Sequence, residues 1–383
     1  MQRLRNIKQL GLTQLVYPGA VHSRFHHALG AMHLVTQVIE VLKTKGVAIS
    51  DAEAEAVLAA ILLHDIGHGP FSHTLENVLV ESFHHESITI YLMEQLNQQF
   101  SGRLNLAIEI FTNRYQRKFF HQLISGQLDM DRMDYLNRDS FFTGVIEGVI
   151  GFDRIIKMLD VADDKLVVEE KGIYSIEKFL IARRLMYWQV YFHKTVLAAE
   201  NMLIQVIKRA KELGLAGHEL GAIPALNLFL QEHISGERFL TDRTIFNAFT
   251  SLDDHDIMAS VKIWCSDKDP VLSALSTALV NRNLYKVQLQ NEPFSAAELQ
   301  AAEATLEDFA PADGPSRSYF VFSGLISNKV YDLESEKLEI LQKNGEVRDF
   351  TALSDYFSIS GSTRRVEKYY LCTFRVAESG IHE

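Results

Sequence analysis

The stretch LLHDIGHGPFSH, residues 62–73, decides the fold of this chain. Apolar residues precede it at helical spacing, and they predict a buried helix that ends at His64. Ser50 and Glu53 have the Ser-x-x-Glu spacing of a capping box, so this helix begins just after Ser50. Two glycines and a proline break the chain directly after the helix. The sequence therefore predicts that a buried helix delivers His64 and Asp65 to a loop that contains further histidines.

Most of the first two thirds of the chain has the apolar spacing of α-helices. A short strand pair is predicted at residues 165–169 and 172–174, where strand-forming residues concentrate. A long helical stretch is predicted from residue 176 to about residue 213, because this part of the chain has almost no helix breakers. The remaining predicted helices cover residues 29–42, 74–80, 86–99, 104–112, 118–125 and 130–137, with more between residues 224 and 306.

The composition changes near Ala310, where the stretch APADGPSRS is typical of a linker. Beyond it, SYFVFSGLI, NKVYDL, KLEILQ, EVRDF and EKYYLCTF are rich in aromatic and branched residues and predict strands. Lys343-Asn344-Gly345 predicts a hairpin turn. The predicted fold is mainly α, with a helical domain at residues 1–309 and a small β-containing C-terminal module (α+β) at residues 310–383.

The composition of the 383 residues is that of a globular protein, with 47% hydrophobic and 23% charged residues. The apolar runs are far shorter than a membrane span, and the N-terminal MQRLRNIKQLG has no apolar signal core. Two cysteines cannot build a disulfide framework. We therefore predict a cytoplasmic protein without a membrane partner. Its formal charge of −11 disfavours binding to long nucleic acids.

Histidine is unusually concentrated near the start of the chain. Nine of the 15 histidines fall between His22 and His85. An ordinary helix end could explain one histidine at position 64, because the helix dipole favours that residue there. Nine are hard to explain by packing alone, since every buried imidazole needs hydrogen-bond partners.

Imidazole nitrogens and carboxylate oxygens together suit divalent metals such as Mn, Fe and Zn. One of His26 and His27 could join His64, Asp65 and Asp131 in a set of two histidines and two carboxylates, with room for water. Such a set can activate water or bind phosphate oxygens. Within LDMDRMDYLNRD, residues 128–139, three polar residues are spaced by four and share one helix face: Asp131, Tyr135 and Asp139.

Six motifs together resemble the HD-domain phosphohydrolases, in particular the deoxynucleoside triphosphate (dNTP) triphosphohydrolases that include the sterile-alpha-motif/HD-domain enzyme. They cover roughly residues 1–200 and occur in the order found in that family. The motifs are RLRNIKQLG, PGAVHSRFHHALG, LLHDIGHGPFSH, HHES, LDMDRMDYLNRD and YFHK. The resemblance implies a divalent-metal cofactor (Mn, Mg, Fe, Zn or Ni), a nucleotide substrate and a homo-oligomer, either a dimer or a tetramer.

The resemblance also implies roles for individual residues. His85 corresponds to the catalytic histidine, Glu86 would orient it, and His68 would act beside it at the phosphates. The implied metal ligands are His27, His64, Asp65 and Asp131. The implied substrate contacts are Gln9, Leu10, Arg24, His73, Arg132, Tyr135, Asp139, Arg183, Tyr191, His193 and Lys194.

Elementary electrostatics favours a basic lining of this kind, because a triphosphate carries several negative charges and arginine binds phosphate oxygens with two donors. For Arg183 and Lys194, a solvated helix face is the alternative interpretation. The expected activity is metal-dependent hydrolysis of dNTPs to deoxynucleoside plus triphosphate. The alternatives are an HD-type phosphohydrolase or phosphodiesterase with another nucleotide substrate, and a non-catalytic nucleotide-binding regulator.

Overall fold

The computed structural model describes residues 1–81, 84–306, 315–328, 337–356 and 366–375, and it confirms the predicted mainly helical fold. Short 3₁₀ segments at Gln2–Asn6, Gly11–Leu15 and Ser72–Thr74 connect to the helices. The helices are α1 Arg24–Thr44, α2 Asp51–Leu63, α3 Glu76–Leu79, α4 His85–Gln99, α5 Asn105–Phe111, α6 Lys118–Gln122, α7 Met130–Thr143, α8 Phe152–Met158, α9 Ile173–Met186, α10 Lys194–Leu215, α11 Pro224–Gln231, α12 Gly236–Thr241, α13 Arg243–Ser251, α14 Asp254–Trp264, α15 Pro270–Val280, α16 Ala296–Ala304 and α17 Phe350–Leu353.

The strands form two small sheets. One has the order β1-β2-β5-β6, in which β2 runs parallel to β5 and the other pairs are antiparallel. The other has the antiparallel order β3-β7-β4. The bounds are β1 Leu159–Ala162, β2 Lys165–Glu169, β3 Lys286–Gln290, β4 Val321–Asn328, β5 Glu339–Leu341, β6 Val347–Asp349 and β7 Val366–Thr373.

Strands on the two sides of the predicted linker share both sheets. β2 pairs with β5, and β3 pairs with β7. The stretch around Ala310 and most of NKVYDL lie outside the described residues, so the division into residues 1–309 and 310–383 stays a prediction. The predicted turn at Lys343–Gly345 is confirmed, because Gln342 and Glu346 close it by a 2.9 Å backbone hydrogen bond and Gly345 has a φ of 85°.

The predicted strand at residues 172–174 is wrong. The partner of β2 is β1, and residues 172–174 belong to a 3₁₀ turn and the start of α9. Asp163 and Asp164 join β1 to β2 with positive φ angles of 50° and 57°, which a two-residue hairpin turn requires. β3 is a strand within the part of the chain for which helices were predicted.

The long helical stretch predicted from residue 176 to about residue 213 is helical in the structure, but it is interrupted once. It divides into α9 and α10, joined by a π-helical turn at Tyr187–Tyr191. His193 caps the new helix, because its Nδ1 accepts a hydrogen bond from the Thr195 backbone N–H. Such π turns are frequent at functional sites, since the extra residue per turn redirects side chains. Here Tyr187 and Tyr191 both line a cavity.

Two hydrophobic cores lie on either side of that cavity. The first packs α1, α2, α7 and α9 around residues such as Val35 and Met133. The second packs α10 against α11 and α13–α15 around residues such as Met202 and Trp264. None of the described helices has the length and apolar character needed to cross a membrane.

Candidate metal centre and cavity

Three side chains from separate helices place ligand atoms close together. His27 lies in the first turns of α1, His64 directly follows α2, and Asp131 lies in the first turn of α7. His27 Nε2 is 3.2 Å from His64 Nε2 and 3.0 Å from an Asp131 carboxylate oxygen. Ligand atoms that share one metal at about 2.1 Å have similar separations. The geometry therefore fits one metal ion held by His27, His64 and Asp131.

The outward nitrogens of both histidines explain why a cation fits between them. His27 Nδ1 donates to Asp134 at 2.8 Å, and His64 Nδ1 donates to the Ile61 carbonyl at 2.6 Å. These bonds direct the Nε2 lone pairs of both buried rings toward the same point, where a cation or a proton must lie between them. Burial alone would lower the pKa of His27, but hydrogen bonds to Asp131 and Asp134 outweigh burial and raise it to about 10.

Asp65 joins this ligand set to the neighbouring side chains of Arg24 and His68. Its carboxylate oxygens lie 3.3 Å from His64 Nε2 and 3.9 Å from His27 Nε2. It also accepts a 2.5 Å hydrogen bond from Arg24 and lies 3.3 Å from His68 Nε2. Burial alone would raise the pKa of this carboxyl, but His64, Arg24 and His68 hold it well below its usual range. The predicted ligand set is thus brought together in one place.

The ambiguity between His26 and His27 is resolved by the first turn of α1. His27 is fully buried and faces the ligand set. The His26 ring lies 3.0 Å from the Ser23 hydroxyl and closes the capping box of the helix. His26 therefore has a structural role at the helix start.

A second cluster of histidines adjoins the first. His68 and His85 stack with ring centroids 4.0 Å apart, and the exposed His73 ring lies 4.9–5.0 Å from both. Glu76 holds two of these rings, because its carboxylate lies 2.9 Å from His85 Nδ1 and 3.1 Å from His73 Nδ1. Burial alone would raise the pKa of Glu76, but hydrogen bonds from His73 and His85 hold it well below its usual range.

This geometry corrects the expected role of Glu86. Glu76, and not Glu86, contacts the His85 ring, and it also accepts the His85 backbone N–H at 2.7 Å. Glu86 is exposed on the first turn of α4. Glu86 follows His85 directly on α4, and the side chains of adjacent helical residues point in different directions. Glu76, at the start of α3, faces the His85 ring directly.

One cavity of about 430 Å³ connects both clusters to a set of aromatic and polar side chains. His193 and Lys194 do not line it: His193 caps α10 and Lys194 is exposed. The predicted face of α7 is confirmed, since Asp131, Tyr135 and Asp139 all line the cavity. The other predicted substrate contacts that line it are Gln9, Leu10, Arg24, His73, Arg132, Arg183 and Tyr191.

One wall of the cavity is organised around Asp139. His22 donates to one Asp139 carboxylate oxygen at 2.7 Å, and the Tyr191 hydroxyl donates to the other at 2.8 Å. Tyr135 lies beside Tyr191, with ring centroids 6.2 Å apart. This network fixes an aromatic wall beside the metal ligands, since the Tyr135 and His27 ring centroids lie 6.5 Å apart. The role of His22 in it depends on a contact 117 residues distant along the chain, which spacing could not indicate.

Sequence reasoning also missed Asp134, although it lies inside LDMDRMDYLNRD. Replacing Asp134 with Asn is expected to weaken divalent-metal affinity by about 10–100-fold, because a carboxylate behind a ligand histidine fixes its orientation and tautomer. Calorimetric titration with Mn²⁺ would measure the change. Asp153→Asn, on α8 and away from this cavity, is the matched control, and equal Mn²⁺ affinity in both variants would refute the role given to Asp134.

Glu200, on α10, is another cavity residue that the sequence did not indicate. Burial raises the pKa of Glu200 to about 7, although the Thr74 hydroxyl partly opposes this shift. The carboxyl is therefore neutral below about pH 7 and negative above it. We expect KM for a polyanionic substrate to rise about fivefold as pH increases through 7, from a repulsion of about 1 kcal/mol. Glu200→Gln, which stays neutral, should lack this rise relative to wild type, and identical profiles would contradict the prediction.

Comparison with known proteins agrees with the site geometry. The family model for the HD domain matches residues 24–139, and that for an HD-associated region matches residues 150–220. A crystal structure of a phosphohydrolase from Bacteroides thetaiotaomicron VPI-5482 is 50% identical and superposes with a TM-score of 0.94, covering 98% of this chain and 93% of that one. This chain belongs to the HD-domain phosphohydrolases. The resemblance drawn from the six motifs is thereby confirmed.

Two further relatives of this HD-domain chain differ in how much of their length the match covers. The uncharacterized protein YwfO of Bacillus subtilis (strain 168) is 34% identical over 386 residues, covering 96% of this chain and 85% of that protein. The deoxynucleoside triphosphate triphosphohydrolase SAMHD1 homolog of Dictyostelium discoideum is 31% identical over 230 residues, covering 55% of this chain and 45% of that protein. The second match thus spans less than half of the relative.

Proposed function

We propose that this HD-domain phosphohydrolase cleaves dNTPs to deoxynucleoside and triphosphate in a metal-dependent reaction. The observation that carries the proposal is the cavity that joins the metal-ligand set to arginine side chains and to the tyrosine wall. The name of the Dictyostelium relative supports the same substrate class.

Cationic groups around the cavity suit a polyanion. Arg24 lies buried between Asp65 and Ser72, where it can face both the ligand set and a phosphate. Among the residues that the structure describes, the buried Nε atoms of Arg132 and Arg183 have no hydrogen-bond partner. Buried unpaired donors are costly, and phosphate oxygens would satisfy them. This favours the binding role of Arg183 over the solvated-face alternative.

The tyrosine wall suits a deoxyribose. The resemblance implies that a tyrosine packed beneath the sugar excludes a ribose 2′-hydroxyl, and the cavity-lining Tyr135 is the residue that we propose for this role. Asp139 accepts a hydrogen bond from Tyr191, which lies beside Tyr135, and this bond restricts movement of the tyrosine wall.

The proposed chemistry uses the metal-ligand set and the adjoining histidines. A divalent metal held by His27, His64, Asp65 and Asp131 would supply charge stabilisation at the phosphate and help activate water. His85, oriented by Glu76, would act as general acid or base. His68 stacks on His85 and would face the phosphate beside it.

Incubation of the purified protein with Mn²⁺ or Mg²⁺ and each dNTP, singly and mixed, tests the proposal. Chromatography should show a deoxynucleoside and intact triphosphate as products. Release of single phosphates, or no product with any dNTP, would reject it. Ribonucleoside triphosphates are the matched control for the tyrosine wall.

A second candidate function has its own observation. The rings of His68, His73 and His85 place ligand atoms within 4.8 Å of one another, a spacing that could hold a second metal. A two-metal site would favour a phosphohydrolase or phosphodiesterase with another nucleotide substrate. Metal analysis discriminates the two: one tightly bound ion per chain supports the dNTP proposal, and two support the alternative. Self-association is proposed from the family resemblance, and light scattering coupled to size-exclusion chromatography tests it.

A further inference from the structure

The loop that carries His68 and His73 has an unfavourable backbone. Phe71 and Ser72 have φ angles of 53° and 51°, the left-handed region that residues with side chains seldom adopt. Two such residues in succession are strained, and they persist only where surrounding contacts determine them. The position of His68 and His73 therefore depends on groups outside the loop.

Asp254 supplies one of these outside contacts. It is the first residue of α14, and only 3% of its surface is exposed. One carboxylate oxygen accepts the Phe71 backbone N–H at 2.8 Å, and the other accepts the Lys8 backbone N–H at 2.9 Å. Lys8 directly precedes Gln9 and Leu10, which also line the cavity.

Arg3 holds the same loop through its carbonyl groups. Its Nη1 donates to the Ile66 carbonyl at 3.1 Å and to the His68 carbonyl at 2.7 Å. Its guanidinium also lies 5.4 Å from the centre of the Phe249 ring, on α13. That ring packs so closely that a Cβ at Gly69 would lie 3.1 Å from it. The loop is thus fixed at a backbone N–H by Asp254 of α14 and at its C=O groups by Arg3 of the N-terminal segment.

We infer that Asp254 is a positioning residue, which sets the cavity geometry by tying the His68–His73 loop and the Lys8–Leu10 segment to one carboxylate. Asp254 lies outside both matched family segments, residues 24–139 and 150–220. The effect on dNTP turnover rests on the proposed function, whereas the effect on phosphate binding does not.

The chemistry of the two hydrogen bonds explains why a carboxylate is needed. Both partners are donors, and a carboxylate has an acceptor oxygen for each. An asparagine amide has one oxygen and one NH₂ group, so one backbone N–H would meet a donor. Either the strained loop or the Lys8 segment must then move. A displacement of about 1 Å far from the reacting atoms can lower turnover about 10²-fold.

The location of the metal ligands distinguishes a positioning role of Asp254 from a general role in folding. These ligands lie on α1, on the two residues directly after α2 and on α7, and Asp254 accepts a hydrogen bond from none of them in the described contacts. A positioning role therefore separates metal binding from phosphate binding. A general loss of folding would weaken both together.

The test compares Asp254→Asn with Asp269→Asn as the matched control. Asp269 stands at the start of the next helix, α15, which it caps, and it pairs with Arg209 away from the cavity. Each variant is titrated with Mn²⁺ and then with inorganic triphosphate. The values of kcat and KM for a dNTP are measured at a temperature well below the melting midpoint of the variant. Asp254→Asn should lower kcat/KM about 10²-fold, weaken triphosphate binding and leave Mn²⁺ affinity unchanged. Asp269→Asn should change only the melting midpoint.

Every outcome decides the inference. Unchanged triphosphate affinity in Asp254→Asn, or equal losses of Mn²⁺ and triphosphate affinity, would overturn it. If wild type binds triphosphate but cleaves no dNTP, the proposed function fails while the positioning role is still decided by binding. If Asp254→Asn does not fold, Arg3→Gln replaces it, and Arg5→Gln, at an exposed position, is the control. Arg3→Gln should lower the affinity for triphosphate and leave the affinity for Mn²⁺ unchanged. Equal triphosphate affinities in Arg3→Gln and Arg5→Gln would overturn the inference.

Discussion

Replacing Asp65 with Asn is expected to abolish hydrolysis, with kcat reduced by at least about 10³-fold, because metal catalysis supplies several kcal/mol of transition-state stabilisation. The Asp65 carboxylate lies 3.3 Å from His64 Nε2 and from His68 Nε2, and it is the ionic partner of the Arg24 guanidinium. An amide of the same shape removes that charge. It also leaves the buried Arg24 guanidinium without its ionic partner, which is costly in a site shielded from water.

Steady-state hydrolysis and Mn²⁺ titration of the same preparation measure this effect. Asp51→Asn is the matched control, because Asp51 lies at the exposed first turn of the same helix, α2. We expect that control to retain wild-type kcat and Mn²⁺ affinity. Unchanged turnover in Asp65→Asn would refute the metal assignment, and lost metal binding without lost turnover would show that the ion is structural.

The ligand set could be predicted from sequence because its parts are encoded locally. His64 follows from a capped, apolar helix that stops at two glycines and a proline, and the structure places that stop at Leu63. Asp131 follows from four-residue spacing along α7, which the cavity lining confirms. Order along the chain then identified the family, which no single motif could have done.

The support behind the ligand set could not be predicted in this way. Glu76 faces His85 only because the chain turns between α3 and α4, and Asp254 reaches Phe71 across 183 residues. The π turn at Tyr187–Tyr191 has no breaker residue to signal it, since it depends on the packing of the aromatic side chains around the cavity. Contacts of this kind depend on tertiary packing, to which local patterns are insensitive.

Glu76→Gln is expected to lower kcat by about 10²–10⁴-fold, the usual contribution of a general acid or base, with less effect on KM. Glu76 accepts from the His85 ring and from its backbone N–H, and this fixes the imidazole with Nδ1 protonated and Nε2 directed away. A glutamine amide that turns its NH₂ group toward Nδ1 would select the opposite tautomer, and Nε2 could then no longer accept a proton. Comparable losses follow when the carboxylate behind a catalytic histidine is replaced by an amide.

Glu86→Gln is the matched variant that decides which carboxylate orients His85. The two substitutions are chemically identical, but Glu86 is exposed and the His85 ring contacts Glu76. We expect Glu86→Gln to retain most of the wild-type kcat, and Mn²⁺ affinity to be unchanged in both variants because neither residue contacts His27, His64 or Asp131 in the described hydrogen bonds. A larger loss of kcat in Glu86→Gln than in Glu76→Gln would mean that His85 is held differently when substrate binds, and that the Glu76 contact is not the one used in catalysis.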